Sequence, residues 1–426
     1  MNKRKEIIIT GFALFSMFFG AGNLILPPFL GVQSGENWGI VTIGFFVTAV
    51  IIPIIGIIAH ARLQGTMFDF GKKVSPTFSM VYCLIVYTIS IMLPAPRTAS
   101  VTHEMAIAPF FGTSSLVTSS LYFALVFLFV MNRSKILHLI GKFLTPFIII
   151  ILLAVIFIGI STSPTAINPS AFETPFVSGL LEGYQTFDAI GAVVVGGVLV
   201  ISMNFKKNTS FAVKKELITK AGIIAGVGLL TIYAGLIYSG VQFSETFTKE
   251  ATRTEILTSL STQTLGNIGT TFLSILVALA CFTTGVGIVT GTADYFKGIF
   301  NNSQKAYTIT AIIGCVLGVI IGQFDVHYII VIALPALMFI YPITIILILL
   351  NVLPEKVATP AVFKAVVGVT FLFSIPDFLK FIINPKSLEG IQSFIPFSEF
   401  SLGWVLPALL IFILVNVFKI ITTTKR

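Results

Sequence analysis

The sequence predicts an all-α integral membrane protein of about twelve transmembrane helices, and three observations carry that prediction. The first is composition: of 426 residues, 56% are apolar and only 10% charged, with a mean hydropathy of +1.00, where soluble proteins carry roughly a quarter charged residues. The second is continuity: residues 37–59 and 221–244 contain no charge at all, unlike the alternating segments of roughly ten residues in a membrane β-barrel. The third is the distribution of basic residues, which alternates from one connection to the next. Together they exclude a soluble catalytic domain, and no basic run with interleaved aromatics points to nucleic acid.

Charges and turn residues divide the chain into spans at about 7–30, 39–60, 76–103, 116–131, 143–161, 176–204, 218–243, 269–296, 306–323, 327–350, 361–382 and 401–420. One set of connections receives groups such as Arg62, Lys72 and Lys73, or Lys206, Lys207, Lys214, Lys215 and Lys220. The other set receives only Lys249, Arg253, Lys380 and Lys386. Basic connections stay cytoplasmic, so both termini are expected inside and the number of spans even. Residues 1–22 resemble a signal peptide, but the apolar run continues past Gly22 and reads as an uncleaved first span. Cys83, Cys281 and Cys315 sit singly in apolar segments without metal-ligand spacing.

Two connections on the external side carry further expectations. Residues 160–178, with three prolines, read as irregular. Residues 253–268 read as a short external helix, with Thr252 as N-cap and Glu255 as its capping-box partner, or else as a disordered loop.

The spans are not uniformly helical. Gly20-Ala21-Gly22-Asn23, followed by Pro27 and Pro28, interrupts span 1. Backbone groups without partners in hydrocarbon cost several kcal/mol each, so such a break belongs beside a cavity. Residues 183–191 of span 6 place Gln185, Thr186 and Asp188 between glycines. Intramembrane acids are expensive and mark functional sites. Interruptions five helices apart are the pattern of two inverted five-helix repeats, about 7–161 and 176–350, followed by extra helices at about 361–420 within a single transmembrane domain. On span 8, Ala280, Thr283 and Thr284 share one helix face and offer hard oxygen ligands suited to an alkali cation; threonines on helices also commonly bond back to carbonyls. Arg97 and Glu104 lie on one face of span 3, beside Pro94 and Pro96; each is expected to meet another helix or reach the outer interface, and the functional alternative makes Arg97 part of an outer gate. Asp377 and Lys380 read as a helix-surface pair.

Four stretches carry a resemblance. Residues 11–28 (Gly-Phe-Ala-Leu-Phe-Ser-Met-Phe-Phe-Gly-Ala-Gly-Asn-Leu-Ile-Leu-Pro-Pro), Pro96-Arg-Thr-Ala, Ala280-Cys-Phe-Thr-Thr-Gly-Val-Gly and Tyr341-Pro-Ile are similar to the bacterial branched-chain amino acid:cation symporter family, over essentially the whole chain. The resemblance implies a transporter of the amino acid-polyamine-organocation type, with the broken-helix, five-plus-five inverted-repeat fold. It implies import of leucine, isoleucine and valine across a bacterial plasma membrane, coupled to sodium or protons. Carried onto this sequence, it places the backbone N–H groups of Ala21 and Gly22 on the substrate carboxylate. It assigns a sodium to carbonyls of Ser16, Phe19 and Ala280 and hydroxyls of Thr283 and Thr284. Asn23 matches a residue that meets a second sodium and the substrate, and the span 6 break adds Thr186, Phe187 and Asp188 to the substrate side. Asp188 has no clear equivalent in the best-known relatives, which leaves a proton-coupled carrier using Asp188 as the alternative.

The expectation is therefore a symporter, not an enzyme, with an amino acid substrate, membrane lipid as its surroundings, sodium as coupling ion and no other cofactor; the sequence carries no signal of oligomeric state. A site for a zwitterion is expected to lack a fixed full charge, with Phe12, Phe15, Phe187 and Ile190 as candidate pocket residues. A channel needs a polar stripe or charged ring, and an embedded enzyme a nucleophile with its base; the sequence displays neither.

Overall fold

The computed structural model describes residues 3–132, 135–161, 167–194, 196, 211–248, 250–384 and 387–424. The expected spans fall on helices throughout, and no strand occurs among the described residues. Span 1 is two helices, Lys3–Phe18 and Ala21–Ser34. Span 2 runs Trp38–Phe46, a π turn Val47–Ile51, and Ile52–Leu63. Span 3 is Pro76–Met92 and Pro94–Thr102, followed by a second π turn, His103–Ile107. Spans 4 and 5 are Ser115–Met131 and Lys135–Ser161. Span 6 begins as Pro175–Tyr184, is interrupted, and resumes as helix at 188–194; its expected end at 204 lies outside the described residues. Span 7 is Phe211–Gln242, span 9 Gln304–Gly322, span 10 Val326–Val352, span 11 Pro360–Leu379 and span 12 Val405–Thr424.

The short helix expected before span 8 is present and continuous with it over Arg253–Ile299. Thr252 and Glu255 make the reciprocal capping box. Gly266, at φ 68°, turns the chain between the two parts, a left-handed geometry for which glycine carries no Cβ penalty. Residues 167–174 are irregular, as expected of this connection; 162–166 lie outside the described residues.

The two interrupted spans are gripped in matching ways. The half-helix 175–184 crosses span 2 at Gly44, Gly179 and Gly183, where an added Cβ would meet opposing backbone or the Thr48 hydroxyl. Thr48 also donates to the Leu180 carbonyl at 2.6 Å. The half-helix 21–34 crosses span 7 at Gly31 and Gly240, where a Cβ at either position would meet backbone of the other helix. Small residues permit this backbone approach, the packing currency available where lipid is as apolar as the side chains. Exchanging spans 1 and 2 with spans 6 and 7 interconverts the two crossings, which is the relation an inverted repeat imposes.

One expectation is corrected by packing. Asp377 is not half of a surface pair: it is 1% exposed, with both carboxylate oxygens without a hydrogen-bond partner among the described residues, while Lys380 turns to the Ser401 hydroxyl. A separation of three residues allows contact on a helix, but neighbouring elements decide which way each side chain turns.

Candidate functional site

The break in span 1 is made by Gly20, whose extended backbone (φ −108°, ψ −174°) ends one helix and caps the next. Its N–H bonds to the Phe18 carbonyl at 2.9 Å. The first donors of a helix have no acceptor within it, so the N–H groups of Ala21 and Gly22 lead the half-helix 21–34 with its positive end. The break in span 6 is a tight turn in which Gln185, Thr186 and Phe187 donate backbone bonds to the carbonyls three residues earlier. Phe187 sits at φ 62°, an uncommon conformation for a bulky residue, of the sort that clusters at functional sites. The Thr186 hydroxyl donates to the Gly183 carbonyl at 2.8 Å and accepts from the Asp188 N–H at 3.2 Å. It thereby ends one half-helix and starts the other.

The two breaks face each other. Asn23 donates through its amide to Asp188 Oδ2 at 2.6 Å, and the same amide meets the Tyr233 hydroxyl. Tyr233 in turn donates to Asp188 Oδ2 at 3.4 Å. Asp188 is 4% exposed and Asn23 is also buried. Asn23 thus acquires its sixth-span partner in Asp188, and Tyr233 of span 7 joins them. Tyr233 has no signal in the sequence, because an isolated Tyr in an apolar helix looks like any packing residue.

Arg97 completes the arrangement, meeting span 6 as one of the expectations for it has it. The helix of span 3 restarts at Pro94 after Leu93, and from there Arg97 reaches inward, 4% exposed. Its Nη1 donates to the Gln185 carbonyl at 2.8 Å, its guanidinium lies 5.2 Å from the centre of the Phe187 ring, and a Cβ at Gly22 would collide with it. Asp188 and Arg97 thus bring a carboxyl and a guanidinium beside the two breaks, where the zwitterion reading expects no fixed full charge.

On span 8, Thr283 donates to the Ala280 carbonyl at 2.9 Å. The Thr284 hydroxyl stands 3.8 Å from the position a Cβ on Gly20 would take, so span 8 borders the break. Ser16 is half-buried one turn before the break, and Phe19 is buried and stacked between Phe15 and Tyr233. Of the candidate pocket residues, Phe15, Phe187 and Ile190 are buried, whereas Phe12 is 54% exposed and turned away from them.

Toward the end of the bundle opposite the termini, the site is covered. Ile256, Leu257 and Leu260 of the helix that begins at Arg253 are buried, and Leu257 and Leu260 join Leu24, Leu26 and Leu30 in one core. Arg253 donates twice to Glu182 Oε1, at 3.0 and 2.6 Å, and lies 4.1 Å over the Phe29 ring. Glu104 accepts from the Thr254 hydroxyl and from the Val326 N–H at 2.7 Å. Glu104, not Arg97, therefore belongs to this cover.

The family described as "Branched-chain amino acid transport protein" matches residues 3–422. The chain belongs to this family. Relatives in it include the branched-chain amino acid permease BraB of Bacillus subtilis, 32% identical with 95% of this chain and 93% of the relative covered. The branched-chain amino acid transport system 2 carrier protein of Pseudomonas aeruginosa is 30% identical, with 94% and 93% covered. The permease BrnQ of Salmonella typhimurium is 30% identical, with 97% and 95% covered. Among solved structures, the inward facing conformation of Mhp1 matches with a TM-score of 0.57 at 12% identity, covering 97% of this chain and 91% of that one. MhsT in complex with L-phenylalanine matches with a TM-score of 0.51 at 14% identity, covering 96% and 97%. The fold is accordingly the inverted-repeat transporter fold with broken first and sixth helices, and family members are multi-pass membrane transporters.

Proposed function

We propose that this protein is a secondary active symporter that imports leucine, isoleucine and valine across the bacterial plasma membrane, coupled to sodium, by alternating access. Both termini are cytoplasmic in this reading, and the covered end of the bundle is external. The five-helix repeats are about 7–161 and 176–350, with 361–420 added. The names of the relatives support the substrate class. The observation that carries the rest is the meeting of the two helix breaks through Asn23 and Asp188, with span 8 alongside. The backbone donors of Ala21 and Gly22 attract the substrate carboxylate, and Asp188, held by Asn23 and oriented with Thr186, attracts its ammonium. Phe187 and its apolar neighbours take the side chain. Ser16, Phe19, Ala280, Thr283 and Thr284 hold the sodium through carbonyl and hydroxyl oxygens, hard ligands that match a hard cation.

A proton-coupled carrier is the second reading, favoured by the burial of Asp188 in the middle of the site. Uptake into proteoliposomes under an imposed sodium or proton gradient separates the two. The expected result is leucine accumulation driven by inward sodium, insensitive to a proton gradient alone, and inhibited by valine and isoleucine but not by lysine or glutamate. Accumulation on a proton gradient without sodium would overturn the sodium reading; strong inhibition by lysine with none by valine would overturn the substrate class.

A further inference from the structure

Arg97 is a buried cation with too little around it. Its guanidinium makes one hydrogen bond among the described residues, to the Gln185 carbonyl, and no carboxylate among them comes within 4 Å of it. Asp188, at the facing break, is engaged with Asn23 and Tyr233. An unpaired buried charge costs several kcal/mol, so an arginine is kept in such a place only where something compensates it. The guanidinium also lies against Gly22, beside the leading donors of the half-helix 21–34. Two positive elements side by side repel each other until an anion lies between them.

The neighbouring Gln185 supplies a second, independent sign. Its side chain is fully buried, and among the described residues both its amide nitrogen and its amide oxygen lack partners. Buried amides are normally satisfied, and a pair of orphaned atoms beside an uncompensated guanidinium marks a place where a polar ligand belongs.

We infer that Arg97 is a ligand of the substrate's carboxylate, sharing it with the N–H groups at the start of the half-helix 21–34. The inference rests on the amino acid reading above and goes beyond it: recognition of the acid group is by full charge, not by helix dipole alone. A planar guanidinium presents donors in a fork that matches a carboxylate's two oxygens. With Arg97 at one end and Asp188 at the other, the site holds a zwitterion by both charges and remains neutral in sum. The guanidinium lies over the Phe187 ring, 5.2 Å from its centre.

The test is equilibrium binding to the purified protein at saturating sodium, with leucine, leucinamide and 4-methylpentanoate as probes. These carry both charges, the ammonium only, and the carboxylate only. The wild-type protein is expected to prefer leucine over leucinamide by a hundredfold or more. In Arg97→Gln that preference should collapse to within a few-fold, with leucine affinity down at least tenfold; Arg97→Lys, a point charge without the fork, should fall between. A general packing defect would weaken leucine and leucinamide alike and leave their ratio unchanged. A wild-type ratio in Arg97→Gln overturns the inference while leaving the substrate class standing; failure of the wild-type protein to bind any of the three overturns both. If Arg97→Gln does not fold, Arg97→Lys decides on the same ratio. A leucine affinity that depends on chloride, with the ratio intact in the variant, assigns the guanidinium to an inorganic anion and likewise overturns it.

Discussion

Asp188 accepts from Asn23 and Tyr233 on a single oxygen, Oδ2. Hydrogen bonds to a charged group contribute about 1.5–3 kcal/mol each, so the carboxylate is held in position at the cost of two neighbours' polar capacity. Asn23→Ala should release it and raise the leucine KM roughly tenfold, and Asp188→Asn should raise it more, since the ammonium then loses a charge. Because both substitutions act on one network, Asn23→Ala/Asp188→Asn should cost clearly less than the product of the single effects. Uptake kinetics of the three variants check this, and fully multiplicative effects would mean that Asn23 and Asp188 act separately. The individual residues were legible in the sequence, because a carboxylate or an amide inside an apolar span is expensive wherever it sits. Their pairing was not. Asn23 and Asp188 are 165 positions apart, and no local periodicity encodes a contact made by two backbone breaks. Arg97 was visible for the same reason as Asp188, but its direction depends on how the helix restarts at Pro94, which spacing along an ideal helix misstates.

The cover over the site is an element with its own chemistry. The capping box of Thr252 and Glu255 and the glycine at 266 set the start and end of the short helix from local rules; the capping box is what marked its start in the sequence, whereas the turn at Gly266 was not read there. The π turn at Val47–Ile51 had no such marker; it lies where Thr48 bonds to the Leu180 carbonyl of another span. The helix is fastened by Arg253 on Glu182, both largely buried, and by Thr254 on Glu104. Removing one partner of a buried pair leaves the other uncompensated, a change of several kcal/mol in favour of any state that lets it reach water. Glu182→Gln should therefore shift the protein toward external opening. A cysteine introduced at Gln185 and labelled from outside by an impermeant maleimide should react at least tenfold faster in this variant, a shift of about 1.4 kcal/mol. Exchange of the two charges, Arg253→Glu/Glu182→Arg, should restore slow labelling. Labelling unchanged by Glu182→Gln would mean that apolar packing of Leu257 and Leu260 alone holds the cover.

At the scale of the whole molecule, the proposed cation site is where the two repeats meet. Gly20 belongs to the first and Thr284 to the second, and the Thr284 hydroxyl borders the break. A cation bound across that seam favours one relative placement of the repeats, which also shapes the substrate site, so the two sites are linked and the linkage is reciprocal. Thr283 gives its proton to the Ala280 carbonyl, which satisfies the helix and leaves the lone pairs of its oxygen available to a cation. None of these cation ligands titrates near neutral pH, so the apparent sodium affinity itself should not follow pH. Thr283→Ala/Thr284→Ala removes two oxygen ligands while the carbonyls of Ser16, Phe19 and Ala280 remain. Apparent sodium affinity should weaken tenfold or more, for which a loss of about 1.4 kcal/mol suffices, and leucine affinity at fixed subsaturating sodium should fall with it. Thr283→Ser/Thr284→Ser, which keeps both oxygens and deletes only methyl groups, should retain most of the wild-type sodium dependence. Equal behaviour of the alanine and serine variants would reduce the two threonines to packing and move the cation elsewhere.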